Sequence, residues 1–250
     1  MYHNIGKKPG FNTVSQENLE QQLNWVRERF RVVGLDRYVS ELRAGEMEPE
    51  TVAVTYDDAY LSYPDLALPV MEKLNIPSTL FVPAGLIGKW NTWDQEIAEE
   101  KLYILDKQEI QALAEHELVE IGSHGMDHRS MGKLEGDDLE KEVALSREIL
   151  ENVTGGQIFL FSFPYGQMWD FSPQAIKLLI KHGYQAACST RYGRKNKLSD
   201  LYQLKRIEVT PGDSLESFAR KCRSGMHTYG VKSRAKEMLH SLGIYSGRKK

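Results

Sequence analysis

The chain has 250 residues, 41% of them hydrophobic and 27% charged, with a formal net charge of −3. That balance belongs to a globular chain rather than a disordered one, and it offers no overall attraction to a polyanion such as nucleic acid. No apolar run approaches the ~20 residues that a membrane-spanning helix needs. The start, "MYHNIGKKPGFNTV", holds no continuous apolar segment of the kind a signal peptide carries. The chain as it stands therefore points to the cytoplasm; a trimmed start would point to the cell envelope instead. The cysteines, Cys188 and Cys222, cannot form a disulfide framework. Cys188 reads as a small core residue.

In chain order, "SQENLEQQLNWVRERF" reads as a helix opened by Ser15, with Leu19, Leu23, Val26 and Phe30 at helical spacing. Its capping box is imperfect, because Asn18 stands where Glu or Gln is preferred. "RVV" is a short strand, and "LDRYVSELRAG" a helix ended by Gly45. "TVAVTYDDAY" is a nearly continuous apolar strand, of the kind covered on both faces, and it ends in Asp57-Asp58. "YPDLALPVMEKLNI" is a helix that Pro69 should bend or interrupt. "STLFVPAG" is a strand, followed by the tryptophan-bearing loop "KWNTWDQE".

Asp106 and Glu109 have the spacing of a capping box at the start of the next helix. "LVEIGSHG" is strand and turn, and "GDDLEKEVALSREILENVTGG" a helix with Leu139, Val143, Ile149 and Leu150 inward. "QIFLFSFPYG" is a strand, "SPQAIKLLIKHG" a helix with Pro173 in its first turn, and "YQAACST" and "YQLKRIEVT" are further strands. From Ser214 on the chain reads as a mostly helical tail. No repeat or long linker intervenes, so residues 1–250 form a single domain. Strands alternating with helices predict a β/α barrel or a doubly wound parallel sheet, with function at the C-terminal strand ends.

Three polar groups fall at such ends: Asp57-Asp58, the pair His124 and His128, and "FPYG". Two histidines at that spacing share one face of a helical turn and can reach one cation, or they are a solvated surface pair. Paired aspartates are costly to bury without a partner, which a cation would supply. Consecutive strand residues point opposite ways, so both aspartates serve one site only if the strand ends or bulges there.

"TYDDAY", "SHGMDH" and "FSFPYG", in that order, resemble the first three motifs of the polysaccharide deacetylases, the NodB-homology group of carbohydrate esterase family four. "YHNIG", "RVVGLDRYVSELRAGE", "HGYQAACST" and "YQLKRIEV" extend the likeness over most of the chain. The resemblance implies an α/β fold, a distorted (β/α)7-type barrel, and a divalent metal, Zn²⁺ first with Co²⁺, Ni²⁺ or Mn²⁺ as alternatives. It makes Asp58, His124 and His128 metal ligands, Asp57 the general base, and the Tyr165 N–H an oxyanion donor on a turn shaped by Pro164 and Gly166. It implies N-deacetylation of a sugar in a glycan or in a glycolipid or nucleotide-sugar precursor.

The chain also departs from the family pattern. Ala59 replaces the usual Gly of the first motif, so an ordinary backbone is expected there. Ser162 replaces the Arg that orients the base in many members. This resembles a subgroup reading like "FAYPYG", in which Arg206 of "LKRI" is a substitute partner for Asp57; otherwise Arg206 is a surface or helix-dipole arginine. No late Leu-x-His supplies a general acid, leaving His3, His227 and His240, with His3 first. Trp90, Trp93 and Trp169 are either glycan platforms or loop anchors, Trp169 being preferred. The basic run from Arg191 onward is either a solvated face or a peripheral contact with an anionic substrate or lipid surface. Two rival readings remain: hydrolysis of another non-peptide amide on the same barrel, and a non-catalytic glycan-binding barrel. Oligomeric state is not encoded in any motif.

Overall fold

The computed structural model describes residues 1–96, 100–224 and 238–239. The chain opens with β1 (Asn4–Gly6), β2 (Thr13–Ser15), α1 (Gln16–Arg27), β3 (Arg31–Val32) and α2 (Leu35–Ala44). Next come β4 (Thr51–Val52), β5 (Val54–Tyr56), α3 (Leu68–Leu74), β6 (Ser78–Val82), α4 (Lys107–Ala114) and β7 (Val119–Ser123). The series ends with α5 (Gly136–Glu140), α6 (Ser146–Thr154), β8 (Leu160–Ser162), α7 (Pro173–Lys181), β9 (Ala186–Tyr192), β10 (Leu204–Arg206) and α8 (Leu215–Ser224).

The helix boundaries follow local chemistry. Ser15 Oγ accepts from the Asn18 N–H at 3.2 Å, the half of the capping box that Asn18 permits. Asp106 and Glu109 make both halves, at 2.9 and 2.7 Å. Gly45 (φ 72°) ends α2 and Gly155 (φ 69°) ends α6, both in the left-handed conformation that glycine adopts without steric cost. Ahead of Pro69, residues Tyr63–Ala67 form a wide turn of π type that leads into α3, so the proline sits in a first turn where its missing N–H is harmless.

Six strands form one all-parallel sheet in the order β10-β9-β8-β7-β6-β5. The N-terminal segment runs between its two edges. Tyr2 donates its N–H to Thr55 O (2.9 Å) and accepts from the Asp57 N–H (3.0 Å). On the other side, the Met1 nitrogen donates to Ile207 O (3.0 Å) and Met1 O accepts from the Val209 N–H (3.0 Å). The sheet is thus a curled, nearly closed ring, the distorted β/α barrel expected from the motifs. Inward side chains Phe81, Leu160, Cys188 and Leu204 meet Leu35, Tyr38, Val39 and Leu42 of α2, which packs into the barrel interior. The outward faces of the strands join the helices in the main core. Cys188 is buried and unbridged.

Some expectations need correction. Ile149 packs against the core while half-buried, and the inward stripe also carries Glu142 and Ser146, which the apolar spacing did not place there. The C-terminal basic run is not one solvated face. Arg206 and Lys221 are buried, and Lys221 pairs with Asp213 at 2.5 Å. The remainder of the basic tail beyond Ser224, with His227 and His240, lies outside the described residues. Among the described residues no helix is long and apolar enough to cross a membrane.

Candidate metal centre

Strand β5 stops at Tyr56, and the backbone then turns left-handed at Asp58 (φ 75°) and Ala59 (φ 52°). That turn lets two adjacent aspartates address one site. Ala59 was expected to keep ordinary angles; it does not. A left-handed alanine costs roughly 1–2 kcal/mol. It is held there by complete burial and by the Leu105 N–H donating to Ala59 O at 2.9 Å, with the Leu61 N–H donating to Tyr103 O alongside at 2.9 Å.

His124 and His128 follow β7, but not on a helical turn. Gly125 (φ 74°) and His128 (φ 52°) fold the loop back on itself, and this reversal brings the two rings together. The ring centroids are 5.1 Å apart. His124 Nε2 lies 3.4 Å and His128 Nε2 3.3 Å from Asp58 Oδ1. The three donor atoms lie within 4.8 Å of one another, and all three residues are buried. His124 Nδ1 is 2.7 Å from Ser162 O. A carbonyl only accepts, so Nδ1 carries a proton and Nε2 is the ring nitrogen that faces Asp58.

Asp58 Oδ1 is buried with no hydrogen-bond partner among the described residues. Such an oxygen is costly unless something cationic meets it. Two imidazoles and a carboxylate form a donor set that suits a divalent transition metal and leaves coordination positions open. The residues therefore fit the group that the motifs imply. Burial alone would raise the Asp58 pKa, but the two histidines hold it well below the usual carboxylate range. Burial lowers His128, whereas for His124 it is outweighed by Asp58 and Asp57, which raise it.

Asp57 points elsewhere. Its Oδ1 accepts from Arg206 Nη1 at 2.8 Å and its Oδ2 from Nη2 at 2.7 Å. Arg206 is 8% exposed, so it is no surface arginine. Its remaining donors reach Thr55 Oγ1 (3.2 Å), Ser162 Oγ (2.9 Å) and Ser189 O (2.9 Å). The small Ser162 leaves room for this guanidinium to arrive from β10. Burial pushes the Asp57 pKa up, and the charges of Arg206 and then His124 more than reverse it.

After β8, Pro164, Tyr165 and Gly166 form a three-residue turn closed by the Gly166 N–H to Pro164 O at 2.7 Å. Tyr165 (φ 60°) and Gly166 (φ 62°) are both left-handed, and Tyr165 O accepts from Thr190 Oγ1 at 2.5 Å. The edge of the Tyr165 ring meets His128, centroids 4.7 Å apart. His3 is half-buried beside the Tyr2–Tyr56 pairing, close enough to act electrostatically on Asp57, Asp58 and His128. Trp169 is half-buried on the loop that follows, its carbonyl against Gly132 in the loop after His128.

Trp93, ranked behind Trp169 on sequence, lies flat on His128 with centroids 4.0 Å apart and planes at 15°. Trp90 instead carries Lys101 over its ring at 4.5 Å. Two residues escaped notice entirely. Tyr60 is buried near Asp58, and desolvation together with that carboxylate raises its hydroxyl pKa. Glu142 Oε2 accepts from the Met126 N–H at 2.7 Å, bracing the loop between the histidines. A carboxylate on the inward stripe of a helix was the signal for Glu142.

Residues 44–187 match the family described as polysaccharide deacetylase. The YxkH protein of Bacillus subtilis (strain 168) is 26% identical over 220 residues, 87% of this chain and 73% of its own length. The poly-beta-1,6-N-acetyl-D-glucosamine N-deacetylase of Staphylococcus epidermidis is 22% identical over 244 residues, 88% of this chain and 81% of its own. Among solved structures, IcaB from Ammonifex degensii superposes with a TM-score of 0.75 at 23% identity, covering 89% of this chain and 95% of that one. A family match over more than half of the chain, on a shared fold, supports one conclusion: the chain belongs to the polysaccharide deacetylase family.

Proposed function

We propose that this protein is a metal-dependent hydrolase that removes acetyl groups from an N-acetylated sugar in a polysaccharide or glycan precursor. The observation that carries this reading is the convergence of Asp58, His124 and His128 within 4.8 Å, with Asp57 held off the cluster by Arg206. Asp58 and the Nε2 atoms of both histidines would hold the ion, Zn²⁺ or another divalent transition metal. When bound, it supplies an acidified water, pKa near ~7, and polarises the amide carbonyl.

The other steps belong to the chain. Asp57 takes the proton of the attacking water, and Arg206 keeps it ionised and fixed beside the cluster. The Tyr165 N–H, on its left-handed turn, is the donor assigned to the oxyanion. His3 is assigned to protonating the departing amine. Trp169 and the turn residues Pro164 and Gly166 line the sugar side. The names of the staphylococcal relatives make β-1,6-linked N-acetylglucosamine oligomers the first substrates to try.

The test is acetate release from such oligomers by wild type and by Asp57→Asn. The variant should bind metal normally yet lose ~10²–10⁴-fold in kcat, as expected for removal of a general base. Full activity in Asp57→Asn would remove Asp57 from the role.

A further inference from the structure

A ligating histidine almost always donates its second ring N–H to a carbonyl, carboxylate or water, and that bond fixes the ring. His124 obeys, through Ser162 O. His128 does not: its Nδ1 is buried with no hydrogen-bond partner among the described residues. The ring is fixed in another way. One face lies flat on Trp93, centroids 4.0 Å apart at 15°, and the edge of Tyr165 closes on it at 75°.

Trp93 is itself anchored. Asn91, 1% exposed, accepts from the Leu102 N–H through its side chain (2.8 Å), donates its own N–H to Leu102 O (3.0 Å) and accepts from the Asp94 N–H (3.1 Å). The returning strand of the same loop pairs with Ala59 and Leu61, next to Asp58. The Trp93 ring also stacks on Tyr60, centroids 6.5 Å apart at 28°. A column Tyr60–Trp93–His128 therefore ties the aspartate turn to the second histidine through a loop that, among the described residues, donates no ligand.

We infer that Trp93 is a positioning residue of the metal centre, holding the His128 imidazole by stacking where a hydrogen-bond acceptor would otherwise hold it. The inference rests on the metal reading above. Two consequences follow. Losing the flat face loosens one ligand, so metal affinity falls. An indole stacked on a ligating ring is also close enough to the ion for a paramagnetic metal to quench its fluorescence.

The experiment uses the full chain and titrates Zn²⁺ by competition and Co²⁺ by fluorescence. It compares wild type with Trp93→Phe, which keeps a stacking face, and Trp93→Leu, which keeps only apolar bulk. Trp93→Leu should bind Zn²⁺ about 10–100-fold more weakly, the usual scale for loss of a group that orients a ligand. Trp93→Phe should recover most of that affinity but lose the Co²⁺-dependent quenching expected of wild type. Zn²⁺ binding by Trp93→Leu equal to wild type overturns the proposal, whether its KM for glycan rises (a substrate wall) or only its melting temperature falls (a packing residue). Should wild type itself take up no metal, the underlying metal reading fails first and this proposal falls with it. A Trp93→Leu chain that does not fold leaves Trp93→Phe to decide: wild-type quenching there places the emitter elsewhere and refutes the stack.

Discussion

Arg206, on β10 at one edge of the sheet, grips both carboxylate oxygens of Asp57, which follows β5 at the other edge, at 2.8 and 2.7 Å. The pair spans the seam of the ring and is buried on both sides, at 7% and 2% side-chain exposure. It therefore joins the fold to the chemistry. Removing one partner of a buried pair leaves the other charge uncompensated, typically costing roughly 3–5 kcal/mol.

Arg206→Ala should accordingly melt at lower temperature and shift the acid limb of its pH–rate profile upward. The sign follows from the causes. Burial raises the Asp57 pKa and Arg206 is the main group lowering it, so without Arg206 the carboxyl holds its proton to higher pH. In wild type the depressed folded pKa stabilises above the unfolded carboxylate value, and that stabilisation is lost as pH falls through the folded value. Arg206→Lys keeps the charge but not the fork, and should recover only part of both effects. Melts from pH 4 to 8 with kcat/KM profiles check this; an unmoved acid limb in Arg206→Ala would separate the pair from catalysis.

Gly166→Ala probes the turn after β8. A Cβ there would meet Thr190 N at 2.7 Å and Phe163 O at 3.0 Å, at a φ of 62° that alanine disfavours. The contacts are backbone and cannot swing away. The expected stability loss is about 1–3 kcal/mol, with a larger proportional fall in kcat because the Tyr165 N–H is re-aimed. Acetate assays at a temperature where the variant is fully folded make the check. Wild-type kcat would mean the turn does not orient the reacting amide.

Glu120 offers a prediction away from the chemistry. It sits on β7 with Oε2 accepting from Thr79 Oγ1 at 2.9 Å. Burial, then the nearby Asp36 charge, raises its pKa to about 7. A carboxyl raised in the folded state lowers stability as pH climbs from the unfolded value near ~4.3 to the folded one. Above that window Glu120→Gln should be more stable than wild type by on the order of 1–3 kcal/mol, and at pH 4 the two should converge. Urea unfolding at pH 4, 6 and 8 measures it; a constant difference at all three would contradict the assigned titration.

The legible parts of this molecule were those set by local chemistry. Gly45 and Gly155 end their helices, Asp106 and Glu109 cap one, and the alternation of strand and helix gives a parallel β/α fold, which only the motif resemblance narrowed to a barrel. The motif residues Asp58, His124 and His128 could be picked out because their types and order are distinctive. Their geometry could not. The left-handed backbone at Ala59 and His128 is imposed by burial and by the loop that pairs with Ala59, both of which are tertiary effects. Trp93 was visible as an aromatic in a loop, yet nothing in its neighbourhood says that it returns to His128. Lys221 looked like a member of a basic run because sequence charge counts do not register a buried partner such as Asp213, whereas Arg206 could be offered to Asp57 only through the motif resemblance.

The most direct measurement is metal content of the purified full chain, wild type against Asp58→Asn, with acetate release followed on the same samples. The account predicts one tightly held divalent ion per wild-type chain, and loss of both ion and acetate release in Asp58→Asn. A wild-type chain that holds no such ion, or an Asp58→Asn chain that keeps it, would contradict the account.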